Sequence, residues 1–270
     1  MKAPIGVIDS GVGGLTVAKE LIQQLPNESI IYIGDDARCP YGPRTTEEVT
    51  QFTVEMTEAL EVLGIKMLVI ACNTATAAAL ETVQERFDFP IIGVIEPGAR
   101  AALQASERDE IVVLGTQGTV NSRAYDTAIL RHAPHAKVQA LACPNFVPVV
   151  ESGDYKTEAA RDIVDATLRV LNRKEFDTAI LGCTHYPLLQ HHIQAALPDA
   201  KIISSATETV VDVKRVLHHF GIESTQPDAT YRFYTTGEVD KFRDIVEDWL
   251  QIQNATVEKI HLQTIIQSKK

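Results

Sequence analysis

Short apolar runs recur along this chain at intervals that leave room for a helix between them. Ile5–Asp9, Ile30–Gly34, Met67–Ala71 and Ile91–Val94 are such runs in the first part. Ile111–Leu114, Val138–Ala142, Ala179–Gly182 and Lys201–Ser204 follow in the second. Their length and near-continuous hydrophobicity predict short buried strands. Between them the period changes. Val49, Phe52, Thr53, Met56, Leu60 and Leu63 fall along one side of a helix. Thr45 and Glu48 stand ahead of them at the spacing of a capping box. Alternating strand and helix predicts the α/β class, with mostly parallel sheet covered by helices on both faces.

The pattern also repeats. Lys66-Met67-Leu68-Val69-Ile70-Ala71-Cys72-Asn73-Thr74 returns as Asp177-Thr178-Ala179-Ile180-Leu181-Gly182-Cys183-Thr184-His185, an offset of 111 positions. The same offset carries Thr46-Glu47 onto Thr157-Glu158, Leu60 onto Leu171 and Ile91-Ile92 onto Ile202-Ile203. It also carries Pro40-Tyr41-Gly42 onto Glu151-Ser152-Gly153. A constant register through strand, cysteine, helix and next strand predicts two pseudo-symmetric, doubly wound α/β domains facing one another across a cleft. The segment from Ala206 to Lys270 has no counterpart. It predicts a helix (Thr207 to Phe220), a strand (Tyr231–Tyr234), a helix (Glu238 to Leu250) and a terminal strand (Val257–Leu262). Either it returns to complete the first domain or it forms a separate cap. In the first arrangement residues 1–97 with 208–270 make one domain and 98–207 the other, crossing at Pro97-Gly98 and Ser204–Thr207.

Composition narrows the function. The 270 residues carry a formal net charge of −11 at pH 7, which argues against a nucleic-acid partner, since phosphates call for a basic face. No apolar run approaches the length needed to span a bilayer, so no membrane association is expected. A strand-like Ile5-Gly6-Val7-Ile8 follows Met1 almost at once, so the expectation is no signal peptide, no N-terminal extension and a cytosolic location. There the four cysteines would stay reduced, and none has the spacing of a metal site. A thiol that matters in this chain does chemistry as a thiol.

Cys72 and Cys183 each end a predicted buried strand ahead of a helix, the edge at which open α/β sheets bind ligands. Taken singly, either fits a small buried apolar side chain. Two at equivalent places in a duplicated fold suit paired acid–base work on opposite faces of one carbon. A helix N-terminus after each would lower its thiol pKa. Asp9-Ser10-Gly11-Val12-Gly13-Gly14-Leu15-Thr16 lacks the third glycine of a dinucleotide fingerprint and the lysine of a phosphate loop. It is either a tight turn needing small residues or a backbone cradle for a carboxylate beside Asp9. Leu114-Gly115-Thr116-Gln117-Gly118-Thr119 is its counterpart, with Thr116 and Thr119 suited to a carboxylate. Asn73, Thr74, Thr184 and His185 flank the cysteines, and His185 is close enough in sequence to serve the thiol of Cys183. Tyr41-Gly42 and Glu151 occupy equivalent loops that suit closure over a pocket. Cys39 and Cys143 each precede a proline and read as structural.

Five segments together resemble the glutamate racemase family of bacteria. They are Asp9-Ser10-Gly11-Val12-Gly13-Gly14, Cys39-Pro40-Tyr41-Gly42, Cys72-Asn73-Thr74-Ala75-Thr76, Glu151-Ser152-Gly153 and Gly182-Cys183-Thr184-His185-Tyr186-Pro187. The resemblance runs in order over essentially the whole chain. It implies interconversion of L- and D-glutamate with no cofactor, whether pyridoxal phosphate, metal or nucleotide, and supply of D-glutamate to cell-wall peptidoglycan. It places the family's catalytic cysteines on Cys72, which would take the proton from D-glutamate, and Cys183, which would take it from L-glutamate. The assisting acid–base residues fall on Asp9, Glu151 and His185. The substrate-binding residues fall on Asp9, Ser10, Tyr41, Gly42, Asn73, Thr74, Thr116, Thr119, Thr184 and His185. The resemblance further implies a homodimer, without fixing its arrangement. Aspartate racemases share the cysteine pair but would imply a glutamate-like acid at position 185, so His185 favours glutamate. A small-ligand binding module on paired α/β domains would keep the cleft without needing two thiols.

Overall fold

Each predicted apolar run becomes a strand of one of two parallel sheets in the computed structural model, which describes residues 3–268. The first part supplies β1 (Ile5–Asp9), α1 (Leu15–Gln24), β2 (Ile30–Gly34), α2 (Thr46–Val62), β3 (Met67–Ile70), α3 (Asn73–Arg86) and β4 (Ile91–Gly93). Then come α4 (Ile95–Ala105), β5 (Glu110–Gly115), α5 (Gln117–Ser122), α6 (Ala124–His132), β6 (Lys137–Ala142), α7 (Phe146–Glu151), α8 (Glu158–Leu168), β7 (Thr178–Gly182), α9 (Gln190–Ala196) and β8 (Lys201–Ser204). The last part holds α10 (Ser205–Phe220), β9 (Tyr231–Thr235), α11 (Val239–Leu250), β10 (Val257–Lys259) and α12 (Leu262–Gln267). One sheet has the order β10-β9-β2-β1-β3-β4 and the other β6-β5-β7-β8. All neighbouring strands are parallel.

The repeat is visible in that topology. Strands β2-β1-β3-β4 and β6-β5-β7-β8 follow the same order, and in each set the strand before the cysteine lies beside the strand before the glycine-rich or threonine-rich loop. The strands read as continuous apolar runs because both faces are covered. Ile5 and Val7 face a core shared with Leu15, Val210, Leu217 and Phe242, while Ile8 turns to the opposite core with Val49, Leu60 and Val83. In the second sheet Val112 and Leu114 pack with Phe146, Val164 and Ile193, and Ile111 and Val113 with Ala99 and Ile129. The capping box forms as the spacing predicts: the Thr45 hydroxyl accepts from Glu48 N at 3.2 Å and Thr45 N donates to Glu48 Oε2 at 3.0 Å.

Three local details refine the expectations. Pro97-Gly98 lies inside the first turn of α4, where a proline's missing N–H costs no hydrogen bond, so this stretch is the start of a helix. Ser204 caps α10, its hydroxyl accepting from Ala206 N at 3.4 Å, so Ser204–Thr207 is a direct strand-to-helix junction. The terminal strand stops at Lys259. Ile260 N still bonds Thr235 O at 2.9 Å, but Leu262 opens α12, whose buried side packs against α2. Among the described residues no helix is long and apolar enough to cross a membrane.

The last part of the chain is tied to the first sheet by more than strand pairing. Lys66 and Glu28 form a buried ion pair, Lys66 Nζ also reaches Ile222 O at 2.7 Å, and Ser224 N donates to Glu28 Oε1 at 2.7 Å. Removing the acid would leave an ammonium buried without its counter-charge, which costs about 3–5 kcal/mol. Glu28→Ala is therefore expected to lower the thermal unfolding midpoint markedly. An unchanged midpoint would mean that the pair contributes nothing to holding this segment.

Candidate active site

Cys72 leaves the end of β3 in an extended conformation and caps α3, so its side chain turns back over the first helical turn. Ala75 N donates to its sulfur at 3.4 Å, and the thiol lies 3.8 Å from Ser10 Oγ. The helix N-terminus was expected to lower this thiol's pKa, and the structure corrects that. Burial and then the charge of Asp9 push it up to about 12, and the N–H of Ala75 offsets only part of the rise. Cys72 therefore rests as a thiol.

Cys183 ends β7 at the equivalent place, but its surroundings differ. The helix expected after it opens as a 3₁₀ turn, Tyr186–Leu189, that runs directly into α9. Beside it stands an imidazole, with His185 Nδ1 3.8 Å from its sulfur. The other ring nitrogen, Nε2, lies 3.2 Å from Glu151 Oε1. Burial alone would discharge the ring, but its hydrogen bonds to Cys183 and Glu151, aided by the field of Asp9, raise its pKa to about 10. The bond from His185 in turn holds the Glu151 carboxyl below its usual range. At neutral pH this is an imidazolium between a sulfur and a carboxylate.

Both sulfurs line one tight cavity between the halves, together with Ser10, Tyr41, Gly42, Asn73, Thr74, Thr116, Thr184 and His185. Three expected residues stand just behind it. Asp9 is wholly buried, accepts from Gly11 N at 3.1 Å and from Thr184 Oγ1 at 3.2 Å, and has its pKa raised by burial. Thr119 completes a triangle of hydroxyls with Thr74 (3.4 Å) and Thr116 (3.1 Å), which are themselves 2.8 Å apart. Glu151 touches the cavity through His185 and faces a neighbouring one. Asn73 Oδ1 accepts from Tyr125 at 2.7 Å, while its Nδ2 is a buried donor with no partner among the described residues. Tyr41 is held by a hydrogen bond to Asp35.

Cys39, Pro40 and Val147 also line the cavity, and residue types alone had not marked them. Cys39, read as structural, reaches across from the first half, its thiol donating to Glu151 Oε1 at 3.4 Å. The one sequence signal was its place in Cys39-Pro40-Tyr41-Gly42. Cys143, by contrast, is buried in the core of the second half with its thiol near Leu141 O.

The glycine-rich loop proves to be a matter of room. A Cβ on Gly13 would meet Thr184 Oγ1 and, at 2.5 Å, His185 Nδ1. One on Gly14 would sit 2.6 Å from the Asp9 Cβ, and one on Gly42 would press on Thr116 at 3.0 Å. The small residues let the halves close until their side chains interleave. Thr16 Oγ1 accordingly donates to Thr184 O at 3.2 Å, and Gly118 N to Gly42 O at 3.0 Å.

Similarity to known proteins agrees with this arrangement. The model of the Asp/Glu/Hydantoin racemase family matches residues 5–213. A glutamate racemase of Lysinibacillus sphaericus is 53% identical over 264 residues, covering 97% of this chain and all of its own. The crystal structure of a glutamate racemase isoform from Bacillus anthracis superposes with a TM-score of 0.93 at 48% identity, covering 96% of this chain and 98% of the other. That of the Francisella tularensis enzyme in complex with D-glutamate gives 0.91 at 34%, covering 97% and 99%. With two thiols set at matching strand ends in one cavity, and matches of this extent, the chain belongs to the Asp/Glu/Hydantoin racemase family.

Proposed function

We propose that this chain interconverts L- and D-glutamate by two-base proton transfer, with Cys72 and Cys183 working on opposite faces of Cα. The observation that carries the mechanism is that two cysteines from equivalent strand ends line one cavity. The substrate comes from the close relatives that bear the name glutamate racemase. On this account residues 1–97 with 208–270 form one domain and 98–207 the other, supported by the pairing of β9 with β2.

The resting charges suit one direction first. Cys183, beside the His185 imidazolium, takes the proton from L-glutamate, leaving the electron pair at Cα delocalised into the α-carboxylate. Cys72, a thiol at rest, returns a proton on the other face. For D-glutamate the roles reverse. The substrate ammonium, entering beside Asp9 and both sulfurs, offsets the carboxylate field that otherwise keeps Cys72 protonated. The hydroxyls of Thr74, Thr116 and Thr119 and the free N–H of Asn73 Nδ2 supply donors for one carboxylate. Ser10, Thr184 and the Tyr41-Gly42 turn lie around the rest of the substrate. No cofactor is called for. D-glutamate formed in the cytosol would feed peptidoglycan synthesis, and a homodimer is the assembly in which we place the chain.

Cys72→Ala and Cys183→Ala should each abolish racemisation of both enantiomers, by at least the roughly 10²–10⁴-fold typical of a positioned acid or base. Circular dichroism follows the reaction, and the melting curve of each variant checks its fold. Near-normal turnover in either folded variant would make that cysteine structural. A second outcome concerns substrate: aspartate, one methylene shorter, should not be racemised at a comparable rate, and pyridoxal phosphate or a chelator should change nothing. Equal rates on aspartate, or inhibition by the chelator, would contradict the assignment.

A further inference from the structure

We propose that Tyr125 is a positioning residue for substrate binding: it fixes the carboxamide of Asn73 with the N–H groups toward the cavity, where they meet a carboxylate of glutamate. The proposal rests on the substrate reading above and deepens it. Tyr125 is not among the residues that line the cavity, so it acts through Asn73.

Asn73 is the first residue of α3, next to Cys72, and its side chain is buried. A carboxamide has an acceptor end and a donor end, and the end that faces the substrate decides whether a carboxylate is attracted or repelled. Here the acceptor is taken: the Tyr125 hydroxyl donates to Asn73 Oδ1 at 2.7 Å. Nδ2 is the buried donor left over, without a partner among the described residues, on a side chain that lines the cavity. A buried donor without an acceptor is costly, and a substrate carboxylate relieves that cost.

The fold makes a place for the phenol. Tyr125 lies in α6 of the second half and Asn73 in the first, so the bond crosses between them. A Cβ on Gly182, just before Cys183, would come within 3.3 Å of Tyr125 Cε2, and one on Gly98 would lie 3.1 Å from the hydroxyl oxygen. The same Gly98 Cβ would meet the Cβ of Ser205 at 3.0 Å, so α4 and the start of α10 both border the hydroxyl. Ile95, Ala99, Ile129 and Ile180 pack with the ring. A side chain so confined holds its oxygen in one place.

The direction of the bond follows from the proton count. Ser205 also hydrogen-bonds the phenol, and burial raises the phenol's pKa by more than that bond lowers it, so the proton stays on at neutral pH. With Ser205 as donor there, the one phenol proton goes to Asn73 Oδ1. The amide cannot then turn over without setting two donors face to face. In Tyr125→Phe nothing marks the acceptor end, and Oδ1 is free to face the cavity and repel a carboxylate.

The test compares Tyr125→Phe with the unaltered protein on both enantiomers by circular dichroism, with a melting curve as the check on fold. KM for L- and for D-glutamate should rise by about tenfold, the scale of a hydrogen bond to a charged group, while kcat changes far less. A merely structural loss would lower the active fraction, and so the apparent kcat, and leave KM where it was. Calorimetric titration with glutamate then asks whether Tyr125 acts through Asn73. Asn73→Ala should weaken binding on its own, and adding Tyr125→Phe to it should weaken binding by less than about twofold more. An unchanged KM in folded Tyr125→Phe, or a full further loss in the Asn73→Ala background, would overturn the proposal. Should Tyr125→Phe fail to fold, Ser205→Ala decides, because it keeps the phenol and removes only the donor beside it: a raised KM upholds the role and an unchanged KM ends it. The substrate reading is judged separately, on the unaltered protein. Turnover and binding of glutamate there uphold it, and without them both it and the role of Tyr125 fall.

Discussion

At position 13 only a hydrogen atom fits, because Thr184 and His185 of the second half occupy the space a Cβ would need. This close approach of two loops at the carboxyl ends of two parallel sheets is the contact on which the site depends. Backbone from one half and side chains from the other build a single cavity there. Asp9 of the first half is bonded to Thr184 of the second, Thr74 to Thr116, and Cys39 to Glu151. Neither half has the site alone. Duplication supplied two strand ends of the same design, and interleaving them brought two sulfurs to one small space.

Matching backbones did not produce matching chemistry. Cys72 receives a helix N–H yet stays protonated, because burial and the Asp9 charge outweigh a single donor. Cys183 is followed by a 3₁₀ turn rather than an α-helical one and has an imidazolium beside it, held charged by its hydrogen bonds to Cys183 and Glu151. A racemase needs an acid and a base that trade places, so the two resting states need only lie within reach of each other. In the mechanism we propose, the substrate's own ammonium is the mobile charge that lets Cys72 take its turn as base.

The strands were legible because a parallel strand buried on both faces leaves an unbroken apolar run, and Thr45 with Glu48 marked its helix by a purely local bond pattern. The two cysteines were legible because one offset related them through strand, helix and next strand. What sequence concealed was non-local. The rise in the Cys72 pKa comes from burial first and then from Asp9, brought near by the pairing of β1 with β3. Cys39 lines the cavity because its partner Glu151 arrives from the other half, which no spacing within its own loop could announce. Leu262 looked like the end of a strand because a few apolar residues carry no period, and packing against α2 settles it as helix.

The central claim is geometric: one carbon between two sulfurs. The most direct measurement is a crystal structure of the protein with D-glutamate bound. The account predicts Cα at near-attack distance from both Cys72 Sγ and Cys183 Sγ, about 3.5 Å allowing for the size of sulfur, with the two approaching from opposite faces. The α- and γ-carboxylates should be held by donors from the two halves, those of Asn73 and the threonine triangle among them. A substrate whose Cα meets only one sulfur, or meets both from the same face, would contradict it.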